Sequence, residues 1–298
     1  MTHYDLCLIW YWEYDADFAR LLHTACAAQG ISLWQVTPDT LVQAITDLLE
    51  GRATFSVLLD RAQYHPAFLP LLEAAKRQAV YRINPREVAA WAEDKATMHL
   101  ELIQGGVQTP YTLILAPFVE QPLLPSLDLS PLGVPFVIKP AMGGGGEGVT
   151  LHATTLEQVQ RARIEHAEQK YLVQAHIWPR NLDGRPAWFR IFYVDGQIHP
   201  CWWQPVTHHY QPLTADEENR FALTPLRLLT AKIASICRLD WFSTELALAE
   251  DGRFVAVDYV NDSIDLRPQS KAEDGVPDEV IHAIVHDLVA LAARKRQA

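Results

Sequence analysis

Residues 135–151 constrain the fold more than any other segment of this sequence. They read PFVIKPAMGGGGEGVTL: a short apolar run, one lysine (Lys139), five glycines in six residues, and a second apolar run. Glycine has no Cβ, so backbone N–H groups in such a loop can approach a ligand closely, and the lysine adds a positive charge beside them. The β-rich residues on both sides favour the tip of a hairpin over a flexible linker. The segment therefore predicts a hairpin that covers the phosphates of a nucleotide.

Two familiar phosphate-binding motifs do not fit this segment. Gly143, Gly145 and Gly148 have G-x-G-x-x-G spacing, but that dinucleotide fingerprint opens a helix, and here the helical pattern begins only near Thr155. In a Walker-type loop the lysine follows the glycines, whereas Lys139 precedes them. The nearest mechanical parallel is the glycine-rich loop of protein kinases, although the sequence contains neither H-R-D nor D-F-G.

Composition excludes several classes of partner. The chain has 298 residues, 49% hydrophobic and 20% charged, which is typical of a globular protein with two or three subdomains. A net charge of −11 argues against binding nucleic acid or an anionic membrane. The sequence has no apolar run of membrane-spanning length and no C-x-x-C motif among its four cysteines. We therefore expect a cytoplasmic protein that acts on small molecules, either as a monomer or as a homodimer.

The order of apolar and amphipathic segments predicts an α/β (α+β) fold. Short apolar strands alternate with amphipathic helices over the first 93 residues, which indicates an N-terminal parallel α/β layer. Two α+β subdomains are predicted to follow, at residues 94–175 with the glycine hairpin and at residues 176–298. The predicted elements include helices at residues 94–104, 156–169 and 278–296, strands at 171–174 and 189–193, a surface connection at 117–135 and a mobile polar loop at 207–219.

A second hairpin is predicted at residues 243–261, where Asp251-Gly252 lies between two apolar runs. With those two residues as the turn, Glu250 pairs with Arg253, and Glu245 faces Asp258 with their Cβ atoms about 5 Å apart.

The next members of that face would be Ala247 and Ala256, so the hairpin itself offers no basic partner. A divalent cation would offset the repulsion between the carboxylates, and Mg²⁺ binds through one or two carboxylates plus substrate phosphates. The alternative is an exposed acidic pair that the hairpin tolerates. As a metal pair, the two acids predict that Glu245→Gln leaves thermal stability in metal-free buffer equal or slightly higher, because a repulsion is relieved.

These parts, in this order, resemble the ATP-grasp superfamily, which includes D-alanine–D-alanine ligases, glutathione synthetases and glutamate-adding peptide ligases. The resemblance covers most of the chain: DKATMHLELIQGGVQTP as entry helix, FVIKPAMGGGGEGV as phosphate hairpin, YLVQAHI as interdomain strand and TELALAEDGRFVAVDYVND as metal hairpin. The resemblance implies an ATP-grasp architecture in which two α+β subdomains enclose ATP.

The resemblance also implies roles for individual residues. Lys95 and Lys139 would hold the ATP phosphates under a loop formed by Gly143, Gly144, Gly145, Gly146 and Gly148. The backbone of Gln174, Ala175, His176 and Ile177 would meet adenine, and Arg190 would lie near the transferred phosphoryl group. The implied ligands for Mg²⁺, or for Mn²⁺ in its place, are Glu245, Asp258 and Asn261. Arg267 follows the metal strand and would bind an acyl phosphate or a substrate carboxylate; a surface ion pair is the alternative.

Two departures from the family pattern affect these roles. Asp258 and Asn261 are three residues apart, so they face opposite ways on a regular strand unless a bulge at Tyr259 or Val260 corrects the register. Without that bulge, Asp262 replaces Asn261, or the two acids bind metal alone. The acid that often holds ribose in the family is also missing from its usual place, and Asp183 is a substitute.

The leading functional hypothesis is an ATP- and magnesium-dependent ligase that joins a carboxylate to an amine through an acyl phosphate. A small-molecule kinase on the same fold is one rival. A nucleotide-binding regulatory protein without turnover is the other.

Overall fold

The computed structural model describes residues 1–62, 65–78, 80–262 and 264–296. Its first sheet has four parallel strands in the order β2-β1-β3-β4. These are β1 (Thr2–Trp10), β2 (Leu33–Val36), β3 (Ala53–Arg61) and β4 (Tyr81–Ile83), joined by helices α1 (Ala16–Ala28), α2 (Leu41–Leu49) and α3 (Leu69–Arg77). Leu6 and Leu8 face one core while Cys7 and Ile9 face another. A parallel sheet covered on both faces explains why the strand sequences are continuously apolar.

The second sheet carries the glycine loop. Helices α4 (Arg86–Glu93) and α5 (Lys95–Gln104) precede it, and Asp94 caps α5 by accepting hydrogen bonds from the Ala96 and Thr97 N–H groups. The antiparallel order is β5-β8-β6-β7. The bounds are β5 (Thr112–Leu115), β6 (Phe136–Pro140), β7 (Thr150–Ala153) and β8 (Tyr171–Ala175), with α6 (Leu156–Glu165) between β7 and β8.

The third sheet has five antiparallel strands in the order β13-β12-β11-β14-β15. After the short pair β9 (Asn181–Leu182) and β10 (Arg185–Pro186) come β11 (Trp188–Val194), β12 (Gln197–Gln204), β13 (His209–Pro212), β14 (Trp241–Leu248) and β15 (Phe254–Asn261). Helices α7 (Ala215–Arg220) and α8 (Pro225–Cys237) separate β13 from β14, and α9 (Asp278–Lys295) follows β15.

The hydrophobic cores do not follow the predicted domain order. Helix α9 packs against α1 and shares one buried cluster with Leu6, Leu8 and Leu22 of the N-terminal layer. Ala89 and Ala92 of α4 belong instead to the cluster around the third sheet. The predicted boundaries after residues 93 and 175 fall between α4 and α5 and at the end of β8. These domain boundaries stay predictions, and residues from both sides of each boundary share a buried cluster.

The predicted α/β class is confirmed, but several local predictions are wrong. Residues 207–219 were predicted as a mobile loop and instead contain β13 and most of α7, whose first turn has a Thr214–Glu217 capping box. The helix predicted to reach residue 169 ends at Glu165. Helix α8 was not predicted, although Pro225 at its first turn is a helix-start signal. Within the described ranges, no helix is both long and apolar enough to cross a bilayer.

Candidate functional site

The predicted glycine hairpin is present, with β6 antiparallel to β7. We call β6, β7 and the loop between them the glycine hairpin. A Cβ added to any of the first four loop glycines would meet no heavy atom within 4 Å, so this surface is open. Four of the five have φ between 63° and 109°, a region that L side chains rarely adopt: Gly143, Gly145, Gly146 and Gly148. The glycines therefore allow the backbone conformation of the loop, and its exposed surface is available to a ligand.

Lys139, on β6, is the central cation of the site. Only 6% of its surface is exposed, and its Nζ donates a hydrogen bond of 2.9 Å to the backbone carbonyl of Val257 on β15. Burial lowers the pKa of Lys139 to about 8, because the ammonium has lost water; Asp258 opposes this shift and Lys95 adds to it. The side chain thus connects the strand that leads into the glycine loop with β15.

Lys95, the first residue of α5, lies close to the same place. Its Nζ donates a 2.6 Å hydrogen bond to the carbonyl of Gly143 in the glycine loop and lies 3.9 Å from Oδ1 of Asp258. The two lysines predicted to hold phosphates are therefore brought together, although they are distant in sequence. Their roles toward a nucleotide stay predictions.

The second hairpin, β14 with β15, is called here the acidic hairpin. Glu245 faces Asp258, as predicted. The turn differs from the prediction, because Ala249 rather than Glu250 pairs with Arg253, so three residues form the loop. Gly252 takes φ 88° there, as the last residue of a three-residue hairpin loop commonly does. The observed pairs are Ser243–Asn261, Glu245–Asp258, Leu246–Ala256, Ala247–Val255 and Leu248–Phe254.

These pairs show two bulges in β15, one on each side of Asp258. Val257 is the extra residue between the Leu246 and Glu245 pairs, and it offsets the longer turn. The predicted Ala247–Ala256 pair is therefore wrong. The second extra residue is Tyr259 or Val260, as predicted.

The second bulge brings Asn261 to the side of Asp258. Asn261 Nδ2 donates to Asp258 Oδ2 at 2.9 Å, so the two side chains share a face of the hairpin. Asp262, the predicted alternative, instead accepts a hydrogen bond from Asn84 and is only 5% exposed. Burial raises the pKa of Asp262 to about 8, with Glu93 contributing in the same direction. Asp262 does not join Asp258.

Buried polar contacts hold both bulges. Lys139 Nζ donates a hydrogen bond to the carbonyl of Val257 at the first bulge, and Thr244 Oγ1 donates to the carbonyl of Asp258 at 3.0 Å. The phenol of Tyr259 bonds to His99 Nδ1 at 2.7 Å and accepts from Gln174 Nε2 at 2.8 Å. An irregular strand whose released backbone groups are satisfied in this way keeps a single shape.

Asp258 has the acceptor that a cation would need. Its Oδ1 is buried and receives no hydrogen bond from any residue in the described part of the chain. Burial alone would raise the pKa of Asp258, but attraction from Lys95, Lys139 and Arg190 lowers it to about 2, so the carboxylate is ionised. An ionised, unsatisfied oxygen beside Glu245 and the Asn261 amide fits the oxygen donors of Mg²⁺. The described residues contain no cluster of three or more His, Cys, Asp or Glu side chains suited to a metal.

Glu245 has the basic partner that the sequence argument did not find. Arg190 lies directly opposite it on β11, and Nη1 donates to Glu245 Oε1 at 2.6 Å. Trp188 Nε1 donates to Oε2 at 3.2 Å. Burial alone would lower the pKa of Arg190, but nearby negative charge, including that of Glu245, raises it. The prediction that the acidic pair lacks a cation is wrong, because the cations come from other strands and helices.

The predicted adenine segment is only partly available to a ligand. The Gln174 side chain is buried and donates to Thr112 Oγ1 at 2.9 Å as well as to Tyr259. The Ala175 N–H donates to the carbonyl of Tyr111 at 2.8 Å.

The next residues in this segment are less enclosed. His176 and Ile177 are half-buried beyond the end of β8, and the His176 ring contacts Trp178 with 4.3 Å between ring centres. Burial lowers the pKa of His176, and its Nδ1 has no hydrogen-bond partner within the described ranges. His176 and Ile177 are thus the better candidates to meet a base.

Arg267 lies in a local ion-pair cluster rather than beside Asp258. It donates to Asp265 and Asp274, and its guanidinium lies 5.8 Å from the centre of the Tyr14 ring. Hydrogen bonding to Asp265 raises its pKa. This geometry favours the ion-pair alternative. Asp183, the substitute for the ribose acid, is exposed and paired with Arg220.

Two concave surfaces lie elsewhere. Cavities of about 690 and 320 Å³ flank β4, and none of the predicted site residues lines them. The candidate site is instead defined by its buried charged side chains. Sequence reasoning missed Trp188, Ser243, Tyr259 and His99, which support the site. The available signal was the alternation on β11, since Trp188 and Arg190 are two apart and share a face.

A parallel α/β layer, a glycine hairpin on a second sheet and an acidic hairpin on a third define the ATP-grasp fold. Solved structures confirm this. The chain matches a D-alanine–D-alanine ligase from Bacillus anthracis, in complex with ATP, at TM-score 0.68 and 13% identity, over 100% of this chain and 97% of that one.

Two further structures match at similar levels. A RimK domain ATP-grasp protein from Sphaerobacter thermophilus matches at TM-score 0.62 and 20% identity, over 97% and 98% of the two chains. The macrocyclase MdnC from Microcystis aeruginosa, bound to its precursor peptide MdnA, matches at TM-score 0.65 and 13% identity, over 99% and 100%. No protein-family model and no curated protein matches the chain. At these identities the likeness establishes the fold.

Proposed function

We propose that this protein is an ATP- and magnesium-dependent ligase that joins a carboxylate to an amine, both on small molecules. The observation that carries the proposal is the bridge made by Lys139, from the glycine hairpin to the carbonyl of Val257 beside Asp258. A cation positioned between a phosphate-covering loop and an ionised acidic pair suits transfer of a phosphoryl group. The ligases with the same fold support the choice of acceptor.

Each residue has a proposed role. Lys95 and Lys139 bind phosphates, and the glycine loop donates backbone N–H groups to them. Glu245, Asp258 and Asn261 would hold Mg²⁺, or Mn²⁺ in its place, which when bound supplies neutralisation of charge on the phosphates. Arg190, which donates a hydrogen bond to Glu245 in this structure, would turn toward the transferred phosphoryl group. Arg267 is not given a role in the transfer.

The charges in the site indicate how metal and nucleotide enter. Three cations surround two carboxylates: Lys95, Lys139 and Arg190 around Glu245 and Asp258. A free divalent cation would add to the positive excess, whereas a cation bound to a triphosphate brings net negative charge. We therefore expect the metal to bind together with nucleotide rather than before it.

The proposed chemistry has two steps. The carboxylate oxygen of the first substrate attacks the γ-phosphorus, the bond from that phosphorus to the bridging oxygen breaks, and ADP leaves. The amine then attacks the acyl carbon, the bond from that carbon to the phosphate oxygen breaks, and inorganic phosphate leaves while the amine nitrogen gives up one proton to form the amide. Positioning and charge neutralisation supply the catalysis, and no side-chain nucleophile is needed. The acyl phosphate must be shielded from water, and the open glycine hairpin is the candidate cover.

Hydroxylamine distinguishes this reaction from its rival. Carboxylates are screened for ADP release with ATP and MgCl₂, and hydroxylamine is then supplied during turnover. A ligase gives a hydroxamate, because hydroxylamine captures the acyl phosphate. ADP release with a stable phosphate ester and no hydroxamate would replace the ligase by a small-molecule kinase. Nucleotide binding without turnover on any carboxylate or alcohol would favour the regulatory protein.

A further inference from the structure

Two side chains on β11 hold the two oxygens of one carboxylate. Arg190 donates to Oε1 of Glu245 and Trp188 donates to Oε2. Alternate residues of a strand point to the same face, so both reach the neighbouring strand β14 together. All three side chains are partly or largely buried, which strengthens these hydrogen bonds relative to exposed ones.

The two donors respond differently to an incoming cation. Arg190 is positively charged at every ordinary pH, so a metal ion at Oε1 repels it. Arg190 has a second acceptor to retain, since Nε and Nη2 donate to Ser243 Oγ at 3.1 and 2.9 Å. The indole of Trp188 is a neutral donor and is not repelled. It can keep its bond to Oε2 after Oε1 changes partner.

We propose that Trp188 is the positioning residue of Glu245, a role that rests on the proposed function. By holding Oε2, the indole N–H fixes the carboxylate so that Oε1 is presented to the metal when Arg190 releases it. Trp188 also packs against the buried cluster that includes Phe192 and Trp203. Replacing it by phenylalanine keeps an aromatic ring there and removes the donor.

The test measures metal binding directly, without turnover. Mn²⁺ is titrated into protein saturated with ADP, and the free ion is followed by its electron paramagnetic resonance signal. We expect Trp188→Phe to weaken Mn²⁺ binding about 10-fold, since a hydrogen bond to a charged acceptor is lost. Trp34→Phe is the matched control, because Trp34 is a half-buried tryptophan of β2 that stacks on Tyr4 in the N-terminal layer.

A double-mutant cycle shows whether Trp188 acts through Glu245. In a Glu245→Ala background, Trp188→Phe should weaken Mn²⁺ binding no further. An equal further loss in that background would overturn the proposal, as would equal losses in Trp188→Phe and Trp34→Phe. Wild-type affinity in Trp188→Phe would overturn this role alone. Failure of the unaltered protein to bind Mn²⁺ with ADP would overturn the proposed function and this role with it.

A measurement without a variant applies if Trp188→Phe does not fold. In ¹⁵N-labelled protein the Trp188 indole N–H resonance can be assigned from the Trp188 backbone through its own side chain. The proposal requires this N–H to stay slow in exchange with solvent when MgCl₂ and ADP are added. Rapid exchange in the presence of both would show that the bond to Glu245 is lost and would overturn it.

Discussion

The acidic hairpin and the glycine hairpin are connected by the hydrogen bond from Lys139 of β6 to Val257 of β15, and they differ in how their shapes are fixed. In the acidic hairpin, side chains from α5, β6, β8 and β14 itself satisfy the groups around two bulges. In the glycine hairpin, the loop is exposed and a Cβ on four of its glycines would touch nothing. One region is fixed by buried neighbours on several elements, whereas the open part of the other depends mainly on its own backbone, with Lys95 bonded to the Gly143 carbonyl at its start.

This difference separates two tasks. Side chains that bind a metal must be held within a narrow geometry, which a buried, satisfied strand provides. A loop that covers a ligand must open and close, and such segments come from the less stable part of a structure. We therefore expect substitutions in the acidic hairpin to change both stability and turnover, and substitutions at the open glycines of the loop to cost stability only through backbone strain.

Glu245→Gln should have the largest effect. We expect turnover to fall about 1000-fold, because several kcal/mol of charge stabilisation is lost with the proposed metal site. The free energy of unfolding should also fall by about 1–3 kcal/mol, since the buried Arg190 loses its ionised partner. This reverses the expectation drawn from an unpartnered acidic pair. Chemical denaturation without metal measures it.

Glu250→Gln, at the exposed turn of the same hairpin, is the control and should leave both quantities near their original values. A Glu245→Gln variant that is as stable as the original, or more so, would show that repulsion between the acids outweighs the bond to Arg190.

Lys139→Ala tests the link between the two hairpins. We expect ADP affinity to fall about 100-fold by calorimetry, because a desolvated charge that meets phosphate is removed. Lys232→Ala, at an exposed lysine of α8, should bind ADP normally. Unchanged affinity in folded Lys139→Ala would remove the central argument for a nucleotide site.

The pH dependence of binding should follow Lys139. Its pKa is lowered to about 8, so the nucleotide-free protein loses this positive charge as the pH rises past that value. Only the ammonium attracts phosphate, and ADP affinity should therefore fall by up to about 10-fold per pH unit above 8. Fluorescent nucleotide titrations from pH 7 to 9.5 measure the slope. Lys139→Arg should abolish it, because arginine stays charged.

The smallest effect is expected in the glycine loop. Gly146 has φ 78° and open space around it, so Gly146→Ala should cost only about 1–2 kcal/mol of stability from backbone strain. Gly148→Ala should cost more, because its Cβ would lie 3.0 Å from His166 Nε2. Thermal unfolding compares the two. Equal losses would mean that the loop is less open than the structure shows.

The acidic pair shows how far the sequence could predict this site. Glu245 does face Asp258, but the two-residue turn behind that prediction is wrong, and the Val257 bulge restores the pair. That bulge is held by Lys139, which is 118 residues earlier in the chain. Hairpin periodicity is local and cannot include such a contact.

Non-local pairing explains the other errors as well. The parallel layer and both hairpins follow from periodicity and turn chemistry, which are readable over a few residues. The partnership of Arg190 with Glu245 requires knowing that β11 lies beside β14. Strand order depends on the whole chain, so this salt bridge, and the sign of the Glu245→Gln prediction, had to come from the structure.

Helix α9 has a consequence for synthesis on the ribosome. It covers one face of the N-terminal sheet, with Ile284 and Leu288 in the same buried cluster as Leu6 and Leu22. During translation that face is made before α9, so its cover is incomplete until residues 278–295 have also been synthesised. The nascent layer therefore exposes aliphatic surface of the kind that chaperones bind until α9 packs against it.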